Sequence, residues 1–89
     1  MNKYLITYEL KNPGRDYSGL YNTIKSLGLW WHYLASTWII KSSTTLSARE
    51  ISDRLVPHID SNDYLLVIKI DTTDSQGWLP QDAWDWLNA

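Results

Sequence analysis

Residues Tyr4 to Leu10 alternate, with Tyr4, Ile6, Tyr8 and Leu10 on one side and Leu5, Thr7 and Glu9 on the other, which is the period of a half-buried β-strand. Lys11 to Arg15 contains Pro13 and Gly14 and reads as a loop. Beyond it Tyr17, Leu20, Tyr21, Ile24 and Leu27 recur at helical spacing. Asp16 or Ser18 would cap this helix and Gly28 would end it with a left-handed stop, giving roughly ten residues. Leu29–Leu34 and Thr37–Lys41 are rich in Trp, Tyr and Ile and are separated by Ala35-Ser36, so they predict two antiparallel strands in a short hairpin. Ser47-Ala48-Arg49-Glu50 fits a capping box, with Leu46 and Ile51 placed for a hydrophobic staple. The helix it opens carries Ile51 and Leu55 on one face and should kink or end at Pro57, which lacks the amide a helix interior needs. Asp60-Ser61-Asn62-Asp63 is a turn cluster. Tyr64 to Ile70 is then apolar on both sides and predicts a central strand covered on both faces. Pro80 at a first helical position, followed by Gln81-Asp82, predicts a short closing helix through Leu87.

The order strand, helix, strand, strand, helix, strand predicts an α+β, ferredoxin-like βαββαβ domain over residues 1–89. Its four-stranded antiparallel sheet would carry two helices on one face, and a Trp-rich C-terminal extension, 72–89, would hold the short closing helix. The other face of such a sheet is bare, and here it would display too much apolar surface for a small monomer. Two sheets facing across a twofold axis would cover it. So would the C-terminal Trp segment, folded back on its own sheet or on that of a partner.

Composition narrows the chemistry. With 89 residues the chain forms one domain with a modest core, and the absence of cysteine removes disulfides, thiolate zinc sites and cysteine nucleophiles. Self-association is the expected supplement to stability. Met1-Asn2-Lys3 leads directly into the first strand with no apolar leader, and no run approaches the ~20 apolar residues of a membrane span, so a cytoplasmic protein without membrane partners is expected. Eight basic and ten acidic residues give a net charge of −2, so any contact with a phosphate backbone must come from a local patch. Six Trp and six Tyr with no Phe favour half-wet surfaces and interfaces, and Trp31, Trp38, Trp78 and Trp84 are expected there.

Among individual residues, Glu9 is the one candidate for catalysis or metal ligation, a carboxylate at a strand end followed by Asn12-Pro13-Gly14. Its structural alternative is a solvated acid or one paired with Arg15. Trp30, Trp31 and Trp38 would offer a stacking platform for bases, but alternation sends Trp30 and Trp31 to opposite faces, which favours core or interface. His32 and His58 lack metal-ligand spacing. The Asp60–Asp63 cluster lacks the later Gly and Glu of a calcium loop, and Gly14, Gly19, Gly28 and Gly77 are too scattered to cradle a phosphate.

The Tyr-acid-Leu strand end, the helix closing on Gly28, the aromatic hairpin and the last strand preceded by Asn62-Asp63 together resemble a known group. The chain is similar, in element order over about residues 3 to 71, to the small ferredoxin-like subunit of CRISPR adaptation complexes and to virulence-associated protein D ribonucleases, and is close to small bacterial proteins grouped as a SinR family. The resemblance implies a homodimer acting on RNA or DNA, in which strand-end acids of two copies hold a divalent metal such as Mg²⁺ for phosphodiester hydrolysis. That position is Glu9 here, where the family usually has Asp, and Lys11 and Arg15 would steer phosphates. Because the added methylene of Glu displaces the ligand oxygens, a second expectation stands beside the first. It is a non-catalytic homodimeric module that binds itself or another protein through its aromatic sheet face and C-terminal segment.

Overall fold

The strand predicted at the N-terminus is β1 (Asn2–Glu9), and it occupies an inner position of a single antiparallel sheet. The computed structural model describes all 89 residues, Met1–Ala89. After β1 come α1 (Ser18–Lys25), the hairpin β2 (Leu29–Leu34) and β3 (Thr37–Ser42), α2 (Ala48–Leu55), β4 (Tyr64–Ile70) and α3 (Gln81–Asn88). The strands lie in the order β2-β3-β1-β4, which makes the chain α+β with a ferredoxin-like arrangement. No helix is long and apolar enough to cross a membrane.

Strand period two divides the side chains between the faces. On one face Tyr4, Ile6 and Tyr8 of β1 join Trp38 and Ile40 of β3 beneath Leu20 and Ile24 of α1 and Ile51 and Leu55 of α2. Trp38 is the largest side chain buried in this core, 1 % exposed. Tyr21 stacks on it at 6.2 Å, His32 at 3.7 Å, and its indole N–H donates to the Tyr8 hydroxyl at 3.0 Å. On the other face Trp31 and Ile39 meet Ala83 and Leu87, so the C-terminal segment folds back onto its own sheet.

Polar contacts hold α3 along its length. The Tyr33 hydroxyl donates to Asp82 near its start, and the Trp31 indole N–H donates to the Ala83 carbonyl. At its end the Thr72 hydroxyl donates to the Leu87 carbonyl, and the buried Lys41 ammonium donates to the carbonyls of Trp86 and Ala89. A cation there also meets the negative end of the helix dipole. Burial, and after it the charge of Lys3, draws the Lys41 pKa below its ordinary value.

Three sequence expectations change. β4 is an edge strand, not a central one, with Tyr64, Leu66 and Ile68 exposed on the α3 side. The strand covered on both faces is β3, because α3 lies over the β2–β3 half of the sheet and its cluster meets β4 at Ile70. Gly28 does not stop α1, which ends at Lys25 where Ser26 and Leu27 turn back onto the carbonyls of Thr23 and Ile24. Gly28 instead lies against the main chain of β3, where a Cβ would collide with the Lys41 carbonyl. The start of α1 has Tyr17 at the cap position, with the Asp16 carboxylate accepting from the Ser18 amide at 2.9 Å.

The capping box of α2 forms as expected, Glu50 N–H to Ser47 Oγ at 3.0 Å and Ser47 N–H to Glu50 Oε1 at 3.3 Å. Pro57 lies in a single 3₁₀ turn, Val56–His58, that follows the helix. Urea denaturation should show Trp38→Ala destabilised by about 3–5 kcal/mol, the cost of emptying a packed aromatic site. Ser47→Ala should lose only about 1 kcal/mol, the worth of one cap.

Candidate functional site

The β1–β4 register sets Glu9 opposite Tyr64, so the end of β1 and the start of β4 form one corner of the sheet. Glu9 is exposed there and borders an open recess of ≈ 280 Å³ lined by Thr7, Tyr8, Glu9, Tyr64, Leu65 and Leu66. The Lys11 ammonium sits 3.9 Å from the centre of the Tyr64 ring, close enough for a cation–π contact, and so lies at the same corner. Arg15 does not pair with Glu9. Its guanidinium is held by Asp60, and it borders a second recess of ≈ 390 Å³ with Asn12, Tyr17 and Tyr21. Of the three residues expected to act on phosphates, the fold therefore gathers Glu9 and Lys11 and directs Arg15 elsewhere.

Asp63 organises this corner, a role hidden in the sequence by its place in a turn cluster. It is 7 % exposed and accepts from the Lys11 amide at 2.7 Å, the Asn12 amide group at 3.3 Å, the Tyr17 hydroxyl at 2.7 Å and the Asp60 amide at 2.8 Å. These bonds tie the β1–α1 loop to the start of β4 and fix the backbone from which Lys11 projects. Burial acts to raise the Asp63 pKa, but the Lys11 amide, the Tyr17 hydroxyl, the charge of Arg15 and Asn12 together outweigh it and hold the carboxyl below its ordinary 3.8. Tyr17 is shifted upward, by burial first and then by its bond to Asp63. The paired signal that could have revealed the hub is the match of Asn12 and Tyr17 on one side of α1's loop with Asn62-Asp63 before β4. The Asn12 amide group also donates to the Asn62 side chain at 2.8 Å.

A single chain does not fit a divalent metal. No three His, Asp or Glu side chains gather to hold one, and the Asp63 oxygens are occupied by protein donors. The two histidines serve packing: His32 stacks on Trp38, and His58 shares a 3.2 Å hydrogen bond with Thr23 of α1.

The four tryptophans expected at an interface separate. Trp38 is core beneath α1, and Trp31 is buried between the sheet and α3, with Trp84 half-buried beside it. Trp78, 99 % exposed on the segment between β4 and α3, is the one left free. On β4 the fold leaves Tyr64, Leu66 and Ile68 open on one face, at 64 %, 55 % and 48 % exposure, beside the half-buried Leu5 and Thr7, while Leu29, Trp30, Tyr33 and Leu34 are exposed along β2 at the opposite edge.

The Asp63 network predicts a stability change in acid. A carboxylate whose pKa is lower folded than unfolded stabilises the fold above the unfolded value, and that contribution is lost as pH falls through the folded value. Thermal melts should therefore fall in Tm as pH drops from about 5 to below the folded pKa of Asp63, and Asp63→Asn should start lower at neutral pH and show a shallower decline.

Comparison of the chain with protein-family models, with curated proteins and with solved structures finds no match, and the residues of this corner and strand carry the functional reading by themselves.

Proposed function

We propose that this protein is a non-catalytic homodimeric interaction module whose docking surface is the part of the sheet that α3 leaves uncovered. The observation that carries this reading is the strip Tyr64–Leu66–Ile68 on β4. These are three large apolar side chains in a row on one face of an uninterrupted edge strand, and contiguous exposed apolar surface marks association sites. The surroundings favour protein over nucleic acid. The chain is net acidic, Arg15 is held by Asp60, and Lys11 lies over Tyr64, so the Tyr64 end of the strip, where Glu9 stands, offers few free cations.

The second reading, a metal-dependent nuclease, draws on one feature: the exposed Glu9 carboxylate beside the Lys11 ammonium at an open recess. It requires a second copy to bring a second carboxylate to Mg²⁺, with Lys11 placed to meet a phosphate of RNA or DNA.

Light scattering across a concentration series separates these readings. The wild-type chain should have the mass of a dimer. Leu66→Lys should fold as before, because the side chain already faces water, yet weaken the dimer at least about tenfold, since each dimer loses two apolar contacts. Labelled RNA and DNA incubated with Mg²⁺ or with chelator should remain intact and unshifted. Metal-dependent cleavage that disappears in Glu9→Gln would replace the module with a nuclease, and a monomer at every concentration would remove the module.

A further inference from the structure

We infer that the second copy docks edge to edge, with β4 of one chain pairing antiparallel to β4 of the other around Val67, so that two four-stranded sheets join into one. This rests on the module reading above and adds which atoms make the contact.

The two edges of the sheet are built differently. β2 breaks register between Trp31 and Leu34, and an irregular edge discourages pairing with another chain. β4 pairs with β1 over seven consecutive residues without interruption, contains no proline, and leaves its outer side open. Such an edge is a ready template for another strand.

The hydrogen-bond pattern identifies the open groups. The Tyr8 amide donates to the Ser36 carbonyl, so the main-chain groups of Tyr8, and by alternation those of Ile6 and Tyr4, are directed toward β3. Those of Lys3, Leu5, Thr7 and Glu9 are then directed toward β4, where their partners are Ile70, Ile68, Leu66 and Tyr64. The remaining residues of β4, Leu65, Val67 and Lys69, turn their N–H and C=O groups outward. A twofold antiparallel pairing must match outward groups with outward groups. Centring it on Val67 does so, setting Val67 opposite Val67 of the partner subunit and Leu65 opposite Lys69 of the partner subunit.

The same register brings the exposed strip together. Leu66 faces Ile68 of the partner subunit in a non-hydrogen-bonded pair, where side chains approach most closely, and Tyr64 faces Ile70 of the partner subunit. Charge agrees. The Tyr64 end of the strand carries Glu9, Asp63 and Lys11, two acids and one base, while the Ile70 end carries Lys3, Lys69 and Asp71, two bases and one acid. Antiparallel pairing lays the acidic end of each strand against the basic end of the other, whereas parallel pairing would stack like on like.

Lys69→Pro tests the edge, because proline removes one outward amide and blocks approach, yet is tolerated on an edge strand whose N–H faces solvent. The Lys69 side chain is exposed, so core packing is kept, and Lys69→Ala, which retains the amide, is the control. Light scattering should give a dimer for the wild type and for Lys69→Ala, and half that mass for Lys69→Pro. Independently of any variant, amide hydrogen exchange in the wild type should slow with rising protein concentration at Leu65, Val67 and Lys69. A dimer that persists in Lys69→Pro, or exchange at these three amides that does not change with concentration, overturns edge pairing while leaving the module intact. A wild-type monomer overturns both.

Discussion

The fold depends on the docking of α3 against the second face of the sheet. A ferredoxin-like sheet has helices on one side only, and here the other side carries Trp31 and Ile39, which water would meet unfavourably. Ala83 and Leu87 supply the apolar cover, and polar contacts set where the helix lies. The Trp31 indole engages the Ala83 carbonyl, Thr72 engages that of Leu87, and Lys41 closes the last turn. Lys41 is the costly member, an ammonium taken out of water, and its placement against carbonyls at a helix C-terminus offsets that cost. Because its neighbours in β3, Trp38 and Ile40, pack beneath α1 and α2, one strand couples the two cores.

One eight-residue helix cannot span four strands, and that limit decides what is left for function. α3 lies mainly over β2 and β3 and its cluster meets β4 at Ile70, so Tyr64, Leu66 and Ile68 of β4 remain in water. At one end of this uncovered strip the Asp63 hub holds the β1–α1 loop and sets Lys11 over Tyr64, with Glu9 beside it. The proposed docking surface and the candidate chemistry thus share one border. Two copies joined at β4 would make a broader sheet with α3 at each flank.

Much of the fold was legible because local signals agreed with one another. The alternation of Tyr4–Leu10, the capping box at Ser47 and the break at Pro57 each have a local cause and each stands where the sequence placed it. The misreading of β4 has a physical reason too. A strand apolar on both sides looks buried on both sides, and nothing local tells whether the cover is a helix of the same chain or another chain. Gly28 misled for a similar reason, since a glycine after a helical run suggests a left-handed stop, whereas here it admits the main chain of β3. The candidate site was legible only in part. Glu9 and Lys11 adjoin in sequence and in space, but the Asp60 partner of Arg15 and three of the four donors around Asp63 arise from residues tens of positions apart. Trp31 and Trp38 point to opposite faces because they sit on neighbouring strands in opposite register phases, a fact that only the pairing of Trp31 with Ile39 reveals.

The most direct test of this account is the contact between the Trp31 indole ring and the Ala83 methyl group, read by nuclear Overhauser effects in a mixture of isotope-labelled and unlabelled chains. The account predicts a strong effect within single labelled chains, none between labelled and unlabelled chains, and no change on dilution. An effect that crosses between chains would mean that α3 covers the sheet of a partner, and its absence altogether would mean that α3 does not cover the sheet; either result would contradict the account.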